Sequence, residues 1–198
     1  MAGIRFEELK SYLSRVARIS VCFLDGQYDN YTLISDIPER KYDDLYVCGI
    51  SMIDAEFPRD VYCRPKTGLT EMIGPSEFFT GCGLEVLLTR EPLDCIAPRR
   101  REDGLLFGDV KKYLQEGRHF SVVMKENWHS EKYEWKKEIP EKYDEMFVYG
   151  IGIEANPDKI RNPRYSVPWD SCLTSQMTLV LAKAPRVFAK NASSWERD

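Results

Sequence analysis

The sequence predicts an α+β protein built by tandem duplication, each copy a short helix followed by a four-stranded, mostly antiparallel sheet. Three observations carry this. The stretch Ile37-Pro38-Glu39-Arg40-Lys41-Tyr42-Asp43-Asp44-Leu45-Tyr46-Val47-Cys48-Gly49-Ile50 returns as Ile139-Pro140-Glu141-Lys142-Tyr143-Asp144-Glu145-Met146-Phe147-Val148-Tyr149-Gly150-Ile151; with Arg40 set aside, nine of the 13 paired positions are identical. Self-similarity at a long spacing is the signature of a repeated structural unit. Upstream, Lys10/Lys111, Tyr12/Tyr113 and Leu13/Leu114 match at an offset of 101 residues. A length of 198 residues accommodates two units of roughly 100 each. The boundaries that follow are a first unit over 1–98, a linker over 99–104 and a second unit over 105–198.

Each element is readable from its spacing. Phe6, Leu9, Leu13 and Val16 fall on one face of a helix, and Phe107, Val110 and Leu114 repeat the pattern. Ile19, Val21 and Phe23 then share one face of a strand, as do Phe120, Val122 and Met124. Asp25-Gly26 predicts a two-residue hairpin turn, since glycine accepts positive φ; the second copy has Glu126-Asn127 and a longer tip. Return strands follow at Tyr31/Leu33 and Tyr133/Trp135. The Ile-Pro step favours an extended residue and then a short helical turn, with Asp36 or Ser35 available to cap it.

A strand over Leu45 to Ile53 comes next, with Tyr46, Cys48, Ile50 and Met52 on one face and Leu45, Val47, Gly49 and Ser51 on the other. Its counterpart places Gly150 and Gly152 on the same small-residue face. Glycine inside a strand marks a bulge or the close approach of another backbone, so this face is where the unit's helix or the partner unit should lie. The skeletons Tyr62-x-x-Pro65/Leu69-Thr70 and Tyr165-x-x-Pro168/Leu173-Thr174 correspond, after which the first copy carries an insert over 71–83. Closing strands run from Leu84 to Thr89 and from Met177 to Lys183, giving a meander in each unit.

Composition narrows the function. Residues 1–101 hold 13 basic and 16 acidic side chains and residues 102–198 hold 15 and 16. This balance argues against a general nucleic-acid binder and against an acidic DNA mimic. The N-terminus lacks the apolar stretch of a secretory signal, and no apolar run approaches the ~20 residues that span a bilayer, so a cytoplasmic protein without membrane contact is expected. The cysteines at 22, 48, 63, 82, 95 and 172 include no Cys-x-x-Cys pair and read as buried thiols. With only His119 and His129 to assist, no zinc site is expected, and no other metal or cofactor.

Catalytic groupings are sparse. Cys172 with His129 or His119 as base is the one conceivable nucleophile pair, and packing explains the cysteine more simply. The carboxylates Asp43-Asp44, Asp54/Glu56 and Glu154/Asp158 lack any spacing that forces convergence on shared ions; Asp43-Asp44 and the matching pair Asp144-Glu145 sit at the start of a strand beside Lys41 and Lys142, where a solvated turn accounts for them. No phosphate-binding loop or dinucleotide fingerprint is present. The expectation is a non-enzymatic binding protein, with a cysteine- or carboxylate-dependent hydrolase or nuclease, or a self-associating structural module, as the alternatives.

Binding residues are sought where the copies differ. Phe78 and Phe79, with Met72 and Glu77 in the same insert, form a candidate loop anchor. Trp128 at the second hairpin tip, and Arg99, Arg100 and Arg101 in the linker, complete the candidate set; Trp169 and Trp195 admit the same two readings, anchor or packing, with core or tail packing ahead for Trp169. The helix, the Ser-Val strand, the hairpin and the Ile-Pro-Glu-x-Tyr-Asp-x-x-Val-x-Gly-Ile pattern together resemble small accessory proteins carried by phages and conjugative elements of Gram-positive gut bacteria. The resemblance covers the first ~60 residues of each unit and assigns no catalytic residue. It implies a role in host takeover, including inhibition of a defence nuclease or its guide complex in the anti-CRISPR manner.

Overall fold

A computed structural model of the chain describes residues 3–14, 17–58, 78–92, 104–155, 172 and 175–187. The first unit contains α1 (Phe6–Lys10), β1 (Ile19–Phe23), β2 (Tyr28–Tyr31), β3 (Tyr46–Pro58) and β4 (Phe78–Thr89). The second contains α2 (Phe107–Lys111), β5 (Arg118–Met124), β6 (Ser130–Trp135), β7 (Phe147–Ala155) and β8 (Ser175–Ala182). Two four-stranded sheets result, in the orders β2-β1-β4-β3 and β6-β5-β8-β7, so the duplicated α+β unit is present with little helix.

The strand order is not the expected meander. In each sheet the outer ladders are antiparallel and the central one is parallel, β1 on β4 and β5 on β8. Burial explains the choice. Leu84, Val86 and Leu88 of β4 are fully buried and take a central position with neighbours on both sides. The polar run Tyr28-Asp29-Asn30-Tyr31 of β2 stays at the edge, where water can satisfy it. Sheet one also curls, so that Asn30 Nδ2 donates to the Glu56 carbonyl of β3 at 2.7 Å.

The helices stop short of the apolar periodicity. Phe6 and Leu9 are buried, but α1 ends at Lys10, and Leu13 reaches the core by another route. The Tyr12 carbonyl accepts from Ile151 N–H at 2.9 Å and Ser14 N–H donates to the Ile151 carbonyl at 2.7 Å. Groups that a longer helix would use internally are thus bonded to the second unit. The arrangement is reciprocal: Ile50 N–H donates to the Tyr113 carbonyl at 2.8 Å, and Gln115 N–H donates to the Ile50 carbonyl at 2.9 Å. Leu13 bridges Ile151 and Leu114 bridges Ile50, the same two positions in each copy exchanged, which defines a pseudo-two-fold axis.

The glycines in β3 and β7 have both roles expected of them. Cys48 and Tyr149 are extra residues in bulges, after which the register resumes at Gly49 and Gly150. Each bulge breaks the strict alternation, so Val47 and Ile50 are both buried, as are Val148 and Ile151. Close approach follows: a Cβ on Gly49 would sit 2.6 Å from Gln115 Nε2, and one on Gly152 would sit 3.1 Å from Ser14 Cβ. The partner unit therefore occupies the small-residue face. One cluster of buried side chains, from Ile4 and Phe6 through Ile50 to Leu114, Ile151 and Leu181, runs through both units.

Leu114 is 1% exposed at this junction. Leu114→Ala should cost about 2–5 kcal/mol and should lower one cooperative unfolding transition of the whole chain, read by urea denaturation with fluorescence and circular dichroism. Two separated transitions in the wild type would show that the units do not share a core.

Candidate functional site

The repeated Lys-Tyr of the Ile-Pro-Glu motif buttresses the hairpin of its own unit. In the first unit Tyr42 donates to Asp29 at 2.5 Å, and Lys41 Nζ reaches Asp29 at 3.0 Å and the Tyr31 hydroxyl at 3.1 Å. Tyr31 and Tyr42 hydroxyls lie 2.7 Å apart; because Tyr42 spends its proton on Asp29, Tyr31 is the donor. Lys41 also stands 5.0 Å from the Tyr42 ring centroid. The second unit rebuilds the group from Glu131, Tyr133, Lys142 and Tyr143: Tyr133 donates to Glu131 at 2.6 Å, Lys142 at 3.2 Å, and Lys142 lies 4.7 Å from the Tyr143 ring centroid.

These contacts set the local charge. The Tyr42 hydroxyl, then Lys41, holds the Asp29 carboxyl below its ordinary range. Hydrogen bonds from Tyr133, Tyr143 and Lys142 lower Glu131 to about 2. Burial, followed by the bond to Asp29, pushes the Tyr42 phenol up. The motif is a structural joint, and its neighbours refine the expected caps. Asp36 accepts from Leu33 N–H at 3.0 Å, capping the 3-10 turn Ile34–Asp36 that precedes the proline, not the turn that follows it. Arg40, the residue without a counterpart, is absorbed at φ 59.

Above each buttress stands a hairpin tip. Phe23 N–H donates to the Gln27 carbonyl, so the first loop has three residues, Leu24-Asp25-Gly26, where two were expected. Gly26 at φ 85 takes the left-handed position that closes such a loop. In the second unit Met124 N–H donates to the His129 carbonyl, leaving a four-residue loop in which the left-handed position falls on Trp128, at φ 55. A bulky residue in that region is an outlier that costs roughly 1–2 kcal/mol. The indole is nonetheless 63% exposed, and Lys125 Nζ lies 4.4 Å from its centroid and 5.1 Å from that of Tyr149. Among the described residues the exposed large hydrophobic side chains are Leu24, Tyr28, Trp128 and Val187. Three of these four belong to the two tips.

The sequence candidates are placed unevenly. Trp128 is at the tip, as expected. Phe78 and Phe79 are not in a loop: their backbones open β4, paired with Pro58 and Phe57. The β3–β4 ladder runs past the end of β1 as a two-stranded arm, a continuation hidden in the sequence by Gly81 and Gly83, which are poor strand formers. The side chains of Phe78 and Phe79, and the whole of Met72, Glu77, Arg99, Arg100, Arg101, Trp169 and Trp195, lie outside the described residues. Leu24 and Tyr28 are tip residues that sequence reasoning passed over; their only signal was an apolar and an aromatic side chain beside Asp25-Gly26.

The nucleophile pair does not assemble. The His, Cys, Asp or Glu groups that converge on Cys172 among the described residues are Asp54 and Cys82, without a histidine. His129 sits at the second tip and His119 within β5 at φ 67. Of the acidic pairs, Asp44 faces Arg5 at 3.5 Å and Asp144 faces Lys111 at 3.2 Å. Two open grooves flank the first hairpin. One, of about 780 Å³, is enclosed by the curl of sheet one and includes Ser20, Cys22, Asn30 and Glu85; the other, of about 880 Å³, runs beside Leu24, Lys41 and Tyr42. In the first, Glu85 accepts from Ser51 and from Cys22, whose thiol is pushed up chiefly by burial. No helix among the described residues is long and apolar enough to cross a membrane.

A carboxyl held below its unfolded value stabilises the fold above the unfolded pKa and loses that contribution as pH falls through the folded one. For Glu131 the window runs from 4.5 down to about 2. Glu131→Gln should therefore lower the urea midpoint at neutral pH, with the gap to wild type closing toward pH 2; a gap of constant size across that window would contradict the buttress. The chain matches no protein-family model, no curated protein and no solved structure.

Proposed function

We propose that the chain is a non-enzymatic binding protein that offers its two hairpin tips to a protein partner. The observation that carries this is the concentration of exposed apolar side chains, Leu24, Tyr28 and Trp128, at equivalent tips of the two units. Aromatic side chains that enter a partner's pocket dominate interface energies. Trp128 is preorganised for that use, since its indole rests on Lys125 and its left-handed backbone is fixed by closure of the four-residue loop. The Asp29 and Glu131 buttresses fix the direction of each tip.

The partner class that the sequence resemblance implies is a bacterial defence nuclease or its guide complex, met in the cytoplasm, and it is the first to test. The reading predicts rigid occlusion, not turnover.

Trp128→Ala and Trp128→Gly separate the tip's binding role from its stability. Both should weaken partner capture from a host lysate, quantified by mass spectrometry, at least about 10-fold, as loss of a hot-spot aromatic does. The glycine variant should be the more stable of the two by about 1 kcal/mol, because only glycine occupies this backbone region without strain. Unchanged capture with both variants, and with Leu24→Ser/Tyr28→Ser, would overturn the proposal.

A further inference from the structure

We propose that Asp54, Cys82 and Cys172 form a binding site for a thiophilic divalent cation of the zinc type, tying the first unit's β3–β4 arm to the second unit. Asp54 and Cys82 are direct cross-strand partners in the β3–β4 ladder, and such partners stand on the same sheet face with Cβ atoms about 5 Å apart. Cys172 comes from the second unit's connection between β7 and β8. Its N–H donates to Asp54 Oδ1 at 2.8 Å, and its Sγ lies 2.9 Å from Cys82 Sγ. One ligand atom from each residue, two sulfurs and a carboxylate oxygen, lies within 4.8 Å of the other two.

Two thiol sulfurs at 2.9 Å are closer than non-bonded sulfur atoms rest. A tetrahedral cation with metal–sulfur bonds of about 2.3 Å places its sulfurs about 3.7 Å apart, so the pair need open by less than about 1 Å. The carboxylate distinguishes this from a simple thiol pair, because its two oxygens let Asp54 keep the bond from Cys172 N–H and still coordinate. Cys82 is buried, Cys172 half-buried and Asp54 exposed, which leaves the carboxylate side open for a water as fourth ligand. Loading replaces both thiol protons: two thiols and one divalent cation give a metal dithiolate and two protons released to solvent.

The second copy supports the assignment by contrast. The pair equivalent to Asp54 and Cys82 is Ala155 and Ser175, joined in the same register of the β7–β8 ladder. The ligands are thus an addition to the repeat, made in one unit and completed by the other. A cation there would cross-link the halves through the native state alone and raise stability by mass action.

The test is titration of the reduced full-length chain with Co²⁺. One equivalent should produce a thiolate-to-cobalt charge-transfer band that Zn²⁺ abolishes by displacement, and Zn²⁺ should raise the melting temperature. Cys172→Ser, a substitution at a half-buried position, should remove the band and the thermal shift without unfolding the protein. Asp54→Asn, which replaces the charged oxygen ligand and leaves both thiolates, should keep the band and weaken binding by at least about 10–100-fold, the loss already seen when a carboxylate that only supports a metal ligand is removed. Absence of the band in the wild type, or its retention in Cys172→Ser, would overturn the site; either result would leave the hairpin-tip reading standing, since Trp128 plays no part in it.

Discussion

The structure depends on four backbone hydrogen bonds that cross between the units at Ile50 and Ile151. β3 and β7 are edge strands, and an edge strand presents unpaired N–H and carbonyl groups that must be satisfied or shielded. Each is satisfied in two stages. The unit's own N-terminal segment pairs first, Val47 N–H to the Ile4 carbonyl and Val148 N–H to the Leu105 carbonyl. After the bulge the other unit's segment takes over, at Ile50 and at Ile151. With net contributions near 1 kcal/mol per hydrogen bond and roughly 1.5–3 kcal/mol for each of Leu13, Ile50, Leu114 and Ile151 buried, the junction carries a large share of a typical domain's stability. Arg186 adds a further stitch, donating to the Ser11 and Tyr149 carbonyls at 3.2 Å.

From this lock follows the division between what the copies share and where they differ. The shared residues build the junction and the buttress: Leu13/Leu114, Ile50/Ile151, Lys41/Lys142 and Tyr42/Tyr143. The differences sit on top of it. A fourth loop residue moves the left-handed position from Gly26 to Trp128, and Asp54 with Cys82 replaces an Ala155–Ser175 pair. Duplication supplied a rigid frame in duplicate, and the functional proposals rest on the residues that broke the symmetry.

The duplication, the two sheets and the small-residue face were legible in the sequence because each leaves a local trace: a repeated motif, a period of two, a glycine at the same place in both copies. The strand order was not, since parallel insertion of β4 beside β1 joins residues 65 positions apart, Ile19 with Leu84, and no local pattern encodes it. The helical face through Leu13 misled for a related reason, as the groups that end α1 belong to Ile151 in the other unit. Trp128 was visible as an unmatched aromatic, whereas its strained backbone was not. Asp54, Cys82 and Cys172 were invisible as a group because strand register and the unit junction, not sequence spacing, bring them together.

Native-state hydrogen exchange of the amides of Ser14, Ile50, Gln115 and Ile151 tests the lock most directly. The account predicts that all four exchange only through global unfolding, with the same free energy and denaturant dependence as the central amides of β4 and β8. Exchange of these four by local opening, while the two sheets remain protected, would show that the halves are held together by something other than this reciprocal pairing.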